Sequence, residues 1–305
     1  PYSFSAFDKL TDALDRAVAE NVRVVGVNDF YSMDGYKEWN DGCRSRKLFP
    51  LFNIEFISLQ QQDQAAGVRV NDPNNPGRTY LSGKGLAYPV ELAEPYASQL
   101  AAVRAESNAQ VETMCGKLND VLRSYDAGFE LDFKEIERTL TKGSIRERHL
   151  AKALRLAAYE HLKNEPKAIA AFFEKIFGGK PLKSDVADHA AVENEIRERG
   201  IFSVEFITTR NSVEVLEKYA GYLHDNGFVV TFGSEHNTPA MEPIELFARG
   251  GVPLTERLKY INYCGACVVA AHQDIVASGM QGYVDSRGKA DIDKRDEYIK
   301  HGDSV

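Results

Sequence analysis

Apolar, β-rich runs that each lead straight into a polar cluster, with helical stretches between them, are the feature that most narrows what this chain can fold into. Leu10, Leu14, Ala17 and Val18 recur at helical spacing between residues 7 and 20. The run Val22-Arg23-Val24-Val25-Gly26-Val27 comes next and leads into Asn28-Asp29-Phe30. The plan repeats: a helix around Tyr36 to Lys47, then a strand from Leu48 to Ile54 that ends at Glu55. It recurs a third time. The strand Phe202 to Ile207, the amphipathic helix Val213 to Asp225 closed by Asn226-Gly227, and the strand Phe228 to Phe232 lead into Gly233-Ser234-Glu235-His236-Asn237. Strands alternating with helices pair in parallel through crossovers, and such sheets gather their chemistry at the C-terminal ends of the strands.

Between these units the pattern changes. Residues 60–89 are polar and rich in Asn, Pro and Gly, which predicts a surface excursion. From Glu91 to about Phe177 the chain turns helical, with stripes such as Ala151, Leu154, Ala158 and Leu162. From Asp285 to Val305 no strong periodicity is visible, so the tail is expected to wrap the surface or fray. A chain of 305 residues is long enough for one large barrel. A net charge of -8 without a Lys/Arg run argues against duplex nucleic acid, and no apolar stretch is long enough to span a membrane as a helix. The four scattered cysteines, Cys43, Cys115, Cys264 and Cys267, do not form a secreted disulfide framework, so a reducing, cytoplasmic setting is expected. Cys264-Gly265-Ala266-Cys267 lies in an apolar helical run and reads as buried and structural. His272, after that run, reads as a core histidine.

Glu235 beside His236 at a strand end offers oxygen and nitrogen donors suited to Zn, Mn or Fe, with Mg the harder alternative. A capped loop with local hydrogen bonds would use the same residues. Asp29 and Glu55 occupy the corresponding ends of their own strands, where either could equally cap a helix. If the three strands are neighbours, these carboxylates converge on one hollow and would repel one another unless a cation sits among them.

Val27-Asn28-Asp29-Phe30, Ile54-Glu55 and Gly233-Ser234-Glu235-His236, in this order at strand ends, resemble the polymerase and histidinol phosphatase (PHP) superfamily. Ser144-Ile145-Arg146-Glu147-Arg148-His149-Leu150-Ala151 is similar to the Ser-Ile-x-Arg-Pro-His-Ile-Ala segment of members that cleave nucleoside or oligonucleotide phosphates. The resemblance implies a distorted seven-stranded β/α barrel with a helical insert and a divalent-metal site that hydrolyses phosphate esters. It divides the chain into a first barrel part over 1–90, an insert across the mouth over 91–198, and a second barrel part with the tail over 199–305. Glu55 and His236 would then be metal ligands, Asp29 and Glu235 catalytic, and Arg146, Arg148 and His149 the contacts to the phosphate of a small substrate. Arg suits that role because its planar fork holds two phosphate oxygens.

The departures from the family pattern are specific. The His-x-His of the first motif is absent, and Pro1-Tyr2-Ser3-Phe4-Ser5 resembles the Thr-Pro-x-Ser stretch that normally succeeds that motif, so the first strand and its histidines are expected upstream of Pro1. Phe30 replaces the histidine of the second motif, and a phenyl ring cannot ligate a metal. Glu235 stands where Asp is usual, with His236 one residue early. A catalytically impaired barrel that binds a small molecule or a partner is therefore the rival expectation, and a carbohydrate-processing enzyme on another barrel is a third. Oligomeric state leaves no mark on the sequence.

Overall fold

The computed structural model describes residues 2–5, 7, 9–72, 74–177, 197, 200–236 and 242–305; Asn237 of the strand-end cluster lies outside them. Helix α1 (Leu10–Ala19) turns Leu10, Leu14 and Ala17 inward, and β1 (Val24–Phe30) buries Val25 and Val27 against them. Helix α2 (Tyr36–Ser45) is the crossover to β2 (Phe49–Leu59), which pairs with β1 in parallel. Trp39, Cys43 and Phe52 complete the core beneath this sheet. Burying each such large apolar side chain contributes roughly 1.5–3 kcal/mol.

Strand β2 is longer than its sequence suggests. It continues past Glu55 to Leu59, and its second half pairs antiparallel with β3 (Arg78–Gly83), inside the stretch expected to be an excursion. A short helix, α3 (Gln61–Ala66), ends at Gly67 and leads into that hairpin. Polar composition concealed β3: only Thr79 of its side chains is buried, so no apolar alternation marks it.

Helices α4 (Tyr96–Ser124), α5 (Phe133–Leu140), α6 (Glu147–His161) and α7 (Pro166–Phe177) pack around a core of their own, with Val111, Leu122, Ile136, Ile145 and Leu150 at its centre. Asp132 caps α5 by accepting the backbone N–H groups of Lys134 and Glu135 at 2.8 and 3.1 Å. The chain then returns to β structure. Strand β4 (Ser203–Ile207) pairs in parallel with β5 (Val229–Gly233) across helix α8 (Val213–Asp225), whose Leu216, Ala220 and Leu223 meet Val230 and Phe232. Two-residue strands β6 (Phe247–Ala248) and β7 (Val252–Pro253) form a small hairpin before helix α9 (Glu256–Ala277).

Among the described residues the expected seven-stranded barrel is not seen to close: the strands bond as three separate sheets, β1-β2-β3, β4-β5 and β6-β7. Helix α9 packs against both β5 and β2. Gly265 permits the close approach, since a Cβ there would collide with the carbonyl oxygen of Val230. Asn262 Oδ1 accepts the Phe232 N–H at 2.8 Å, and Gln273 accepts from Phe52 N and donates to Pro50 O, both at 3.0 Å. Side-chain amides of a helix thus satisfy strand groups that a closed barrel would pair with another strand.

The tail lies on the surface, as expected, and does so as an ordered helix. Helix α10 (Arg295–Ser304) docks on α9 and buries Tyr298 with Tyr283, Val229 and Val268. A single anchoring aromatic leaves no period to read. Among the described residues no helix is long and apolar enough to cross a membrane.

Candidate functional site

The two larger sheets face each other across a cavity of about 1580 Å³. Successive strand residues point to opposite faces. All of β1 borders the cavity, but Val25, Val27 and Asp29 are buried on the face that packs on the helices, and Gly26, Asn28 and Phe30 lie on the opposite face. Phe30 stands opposite Glu55 in the register and Asp29 stands opposite Ile54, so the side chains of Glu55 and Asp29 leave opposite faces of the sheet. Both residues line the cavity, as expected from their strand positions, but they do not form one cluster of carboxylates. Asp29 is buried and accepts two hydrogen bonds from Ser3, from its backbone N at 2.9 Å and its Oγ at 2.7 Å, which tie the start of the chain to β1.

Glu55, Glu235 and His236 line the same cavity, together with Glu205 on β4. Burial first, then the charges of Glu205 and Glu235, push the Glu55 carboxyl up to about 7, while Arg146 and Lys84 pull it the other way. No hydrogen bond or ion pair to the Glu55 carboxylate occurs among the described residues, which sets it apart from its neighbours. Lys84, just beyond β3, reaches across the cavity to pair with Glu205 and to donate to Thr231 Oγ1 at 3.1 Å. Arg210 pairs with Glu235. The imidazole of His236 lies 2.8 Å through Nε2 from the carbonyl of Glu242 and packs on Phe7 at 5.0 Å between centroids. If Nε2 carries the proton, Nδ1 keeps its lone pair.

The Ser144 to Ala151 segment splits into cavity and core. Arg146 and Arg148 line the cavity. The guanidinium of Arg146 is almost fully buried and stacks over Phe30 with its central carbon 4.2 Å from the ring centroid. Its nearest counter-charge is Glu147, at 3.3 Å. His149 departs from its expected role. It is buried beside Phe4, its Nδ1 accepts the Arg146 backbone N–H at 2.9 Å, and burial pushes its pKa down to about 4. A neutral imidazole spent on capping α6 is a packing device, and His149 is absent from the cavity wall.

Sequence reading missed Lys84, Glu205, Arg210 and Thr231. Glu205 alone carried a signal, a charge inside an otherwise apolar strand; Lys84 and Arg210 sit in unremarkable polar stretches. The cysteines match expectation. All four cysteines are buried and free, and His272, expected in the core, is half-buried, its Nδ1 accepting the Tyr283 N–H at 3.0 Å.

No family model matches the sequence, and no curated protein matches it. Solved structures do resemble the fold. An amidohydrolase from Chromobacterium violaceum, solved with bound sulfate and no metal, superposes with a TM-score of 0.54 at 16% identity, covering 85% of this chain and 93% of that one. A crystal structure from Bifidobacterium adolescentis, proposed to be a metal-dependent phosphoesterase, gives 0.54 at 15% identity over 87% and 93%. At such identities the likeness is one of fold.

Proposed function

We propose that this cavity binds a small phosphate ester and that the chain hydrolyses it. The observation that carries the reading is Arg146: a guanidinium shielded from solvent, stacked on Phe30 and opening on a cavity that Arg148 also lines. A buried cation whose ion-pair partner Glu147 is exposed, and which also faces the carboxyl of Glu55, can take an anionic ligand, and two arginines match the paired oxygens of a phosphate. Similarity in fold to a hydrolase that holds sulfate, and to a protein proposed as a phosphoesterase, supports the same class.

The description of the second neighbour supports a divalent cation as cofactor, and in donor type the cavity suits one: carboxylates and an imidazole share its wall. Their arrangement does not fit a resident ion. Among the described residues no three His, Cys, Asp or Glu side chains come together as a ligand set, and Glu205 is paired with Lys84 and Glu235 with Arg210. Glu55 and His236 are two further donors on that wall, too few by themselves to retain an ion.

The side chains themselves supply binding and proton transfer. Arg146 and Arg148 neutralise the phosphate and orient it, and Phe30 keeps water from the far face of Arg146. Glu55, with a carboxyl that titrates near neutrality, is suited to pass a proton to or from a substrate oxygen. Glu235, paired with Arg210, is a second carboxylate on the same wall. Asp29 acts at one remove, through Ser3.

A second reading, a cavity that binds phosphate esters without turning them over, draws on Phe30 and on the two carboxylates locked in ion pairs. Calorimetry with inorganic phosphate, beside release of phosphate from a panel of monoesters and diesters with and without MnCl2, separates the two. Hydrolysis that falls at least tenfold in both Arg146→Met and Arg148→Met supports the enzyme. Binding that weakens equally without any turnover supports the second reading. Phosphate affinity unchanged in both variants sinks both.

A further inference from the structure

We propose that the ammonium of Lys84 and a divalent cation are alternative occupants of one carboxylate pocket, so that this chain admits such an ion only by displacing Lys84. The inference concerns the same cavity but does not depend on what the cavity binds or hydrolyses.

The backbone around Lys84 is pinned. The N–H of Gly85 donates to Asn53 Oδ1 at 3.1 Å, and Gly85 sits at positive φ against the carbonyl of Val269, where a Cβ would clash. From that anchor the Lys84 side chain crosses from the first sheet to the second and meets Glu205 and Thr231, which stand opposite each other on β4 and β5. Only 18% of the Lys84 side chain and 27% of the Glu205 side chain remain exposed, so solvent screens this pair incompletely. Glu205 is itself constrained, since its Oε1 fills the space above Gly233 that any larger residue would take.

Glu205 and Glu235 both act on Glu55, and of the three carboxylates Glu235 is paired with Arg210 while Glu205 is paired with Lys84. Lys84 thus supplies Glu205 with a cation from within the chain. A lysine ammonium is a point charge on a flexible stem, able to leave by rotation once a stronger competitor arrives. A divalent ion bound to the same oxygens could not coexist with it, because two positive charges a few ångströms apart in a shielded site repel strongly. Lys84 thus turns a site with suitable donors into one closed to metal while the lysine stays in place.

The test is calorimetric titration of the full chain with MnCl2 and with ZnCl2, comparing wild type with Lys84→Met, which keeps the stem and removes the charge. The expected result is at least a tenfold gain in affinity in Lys84→Met, abolished when Glu205→Gln is added. Equal affinity in wild type and Lys84→Met overturns the proposal, as does a gain that survives Glu205→Gln. Should Lys84→Met not fold, Lys84→Gln retains a donor toward Glu205 and Thr231 and carries the same expectation. An independent readout uses wild type alone: acetic anhydride labelling of Lys84, followed by mass spectrometry, is expected to quicken severalfold in 10 mM MnCl2. Unchanged labelling counts against displacement.

Discussion

Glu55 and Asp29 are one register step apart, and that step sends a carboxylate with no ion-pair partner among the described residues to one face of the sheet and a hydrogen-bonded one to the other. The carboxyl of Glu55 is raised from 4.5 to about 7 in the folded chain. A carboxyl raised on folding contributes stability below its unfolded pKa and loses it as pH climbs through the folded value. In a buffer free of divalent ions, Glu55→Gln is therefore expected to leave stability at pH 4.5 near that of wild type and to exceed it by up to about 3 kcal/mol at pH 8. Urea unfolding at the two pH values measures this, and a difference that does not grow with pH contradicts the environment assigned to Glu55. Sequence position alone named Glu55 and His236 as cavity residues. It could not name Lys84, whose partners lie 121 and 147 residues further along the chain. It also misread His149, because an imidazole that caps a helix and one that contacts a ligand occupy the same place in a motif.

At the scale of elements, α9 packs against both larger sheets. Its run of small and apolar residues reads as a buried helix, but nothing local states that Asn262 and Gln273 will bond to the backbones of β5 and β2. Replacing Gln273 with Leu leaves Phe52 N and Pro50 O without partners in a buried setting. The expected cost is about 2–6 kcal/mol, taking 1–3 for each orphaned group, and urea denaturation reads it directly. A variant within 0.5 kcal/mol of wild type, a threshold of roughly the size seen for ordinary surface substitutions, would mean that these bonds do not substitute for a strand neighbour. Strand β3 and helix α10 were illegible for a related reason: each is held by long-range pairing or by one aromatic anchor, which leaves no period in the chain.

For the whole molecule, the helices α4 to α7 have an apolar core separate from that of the first sheet, and polar contacts such as Arg104 with Asp34 and Lys142 with Glu38 join them to α2 and the turn before it. Exposed ion pairs couple weakly, at about 0–1 kcal/mol each. The single tryptophan, Trp39, sits in the first sheet's core and reports on that part alone. Urea unfolding followed by Trp39 fluorescence and by far-ultraviolet circular dichroism is expected to give separate midpoints, with helix loss first; coincident curves would show that the two cores melt as one.

The amino-acid order determined by itself the alternation of strand and helix, the faces that become core, and the polar clusters at the strand ends, because these depend on local periodicity. Which of those polar residues share a cavity, which lysine or arginine meets which glutamate, and where each sheet ends depended on the tertiary structure. Strand parity, the approach of α9 at Gly265, and ion pairs between distant segments are relations in space, and a linear pattern does not carry them.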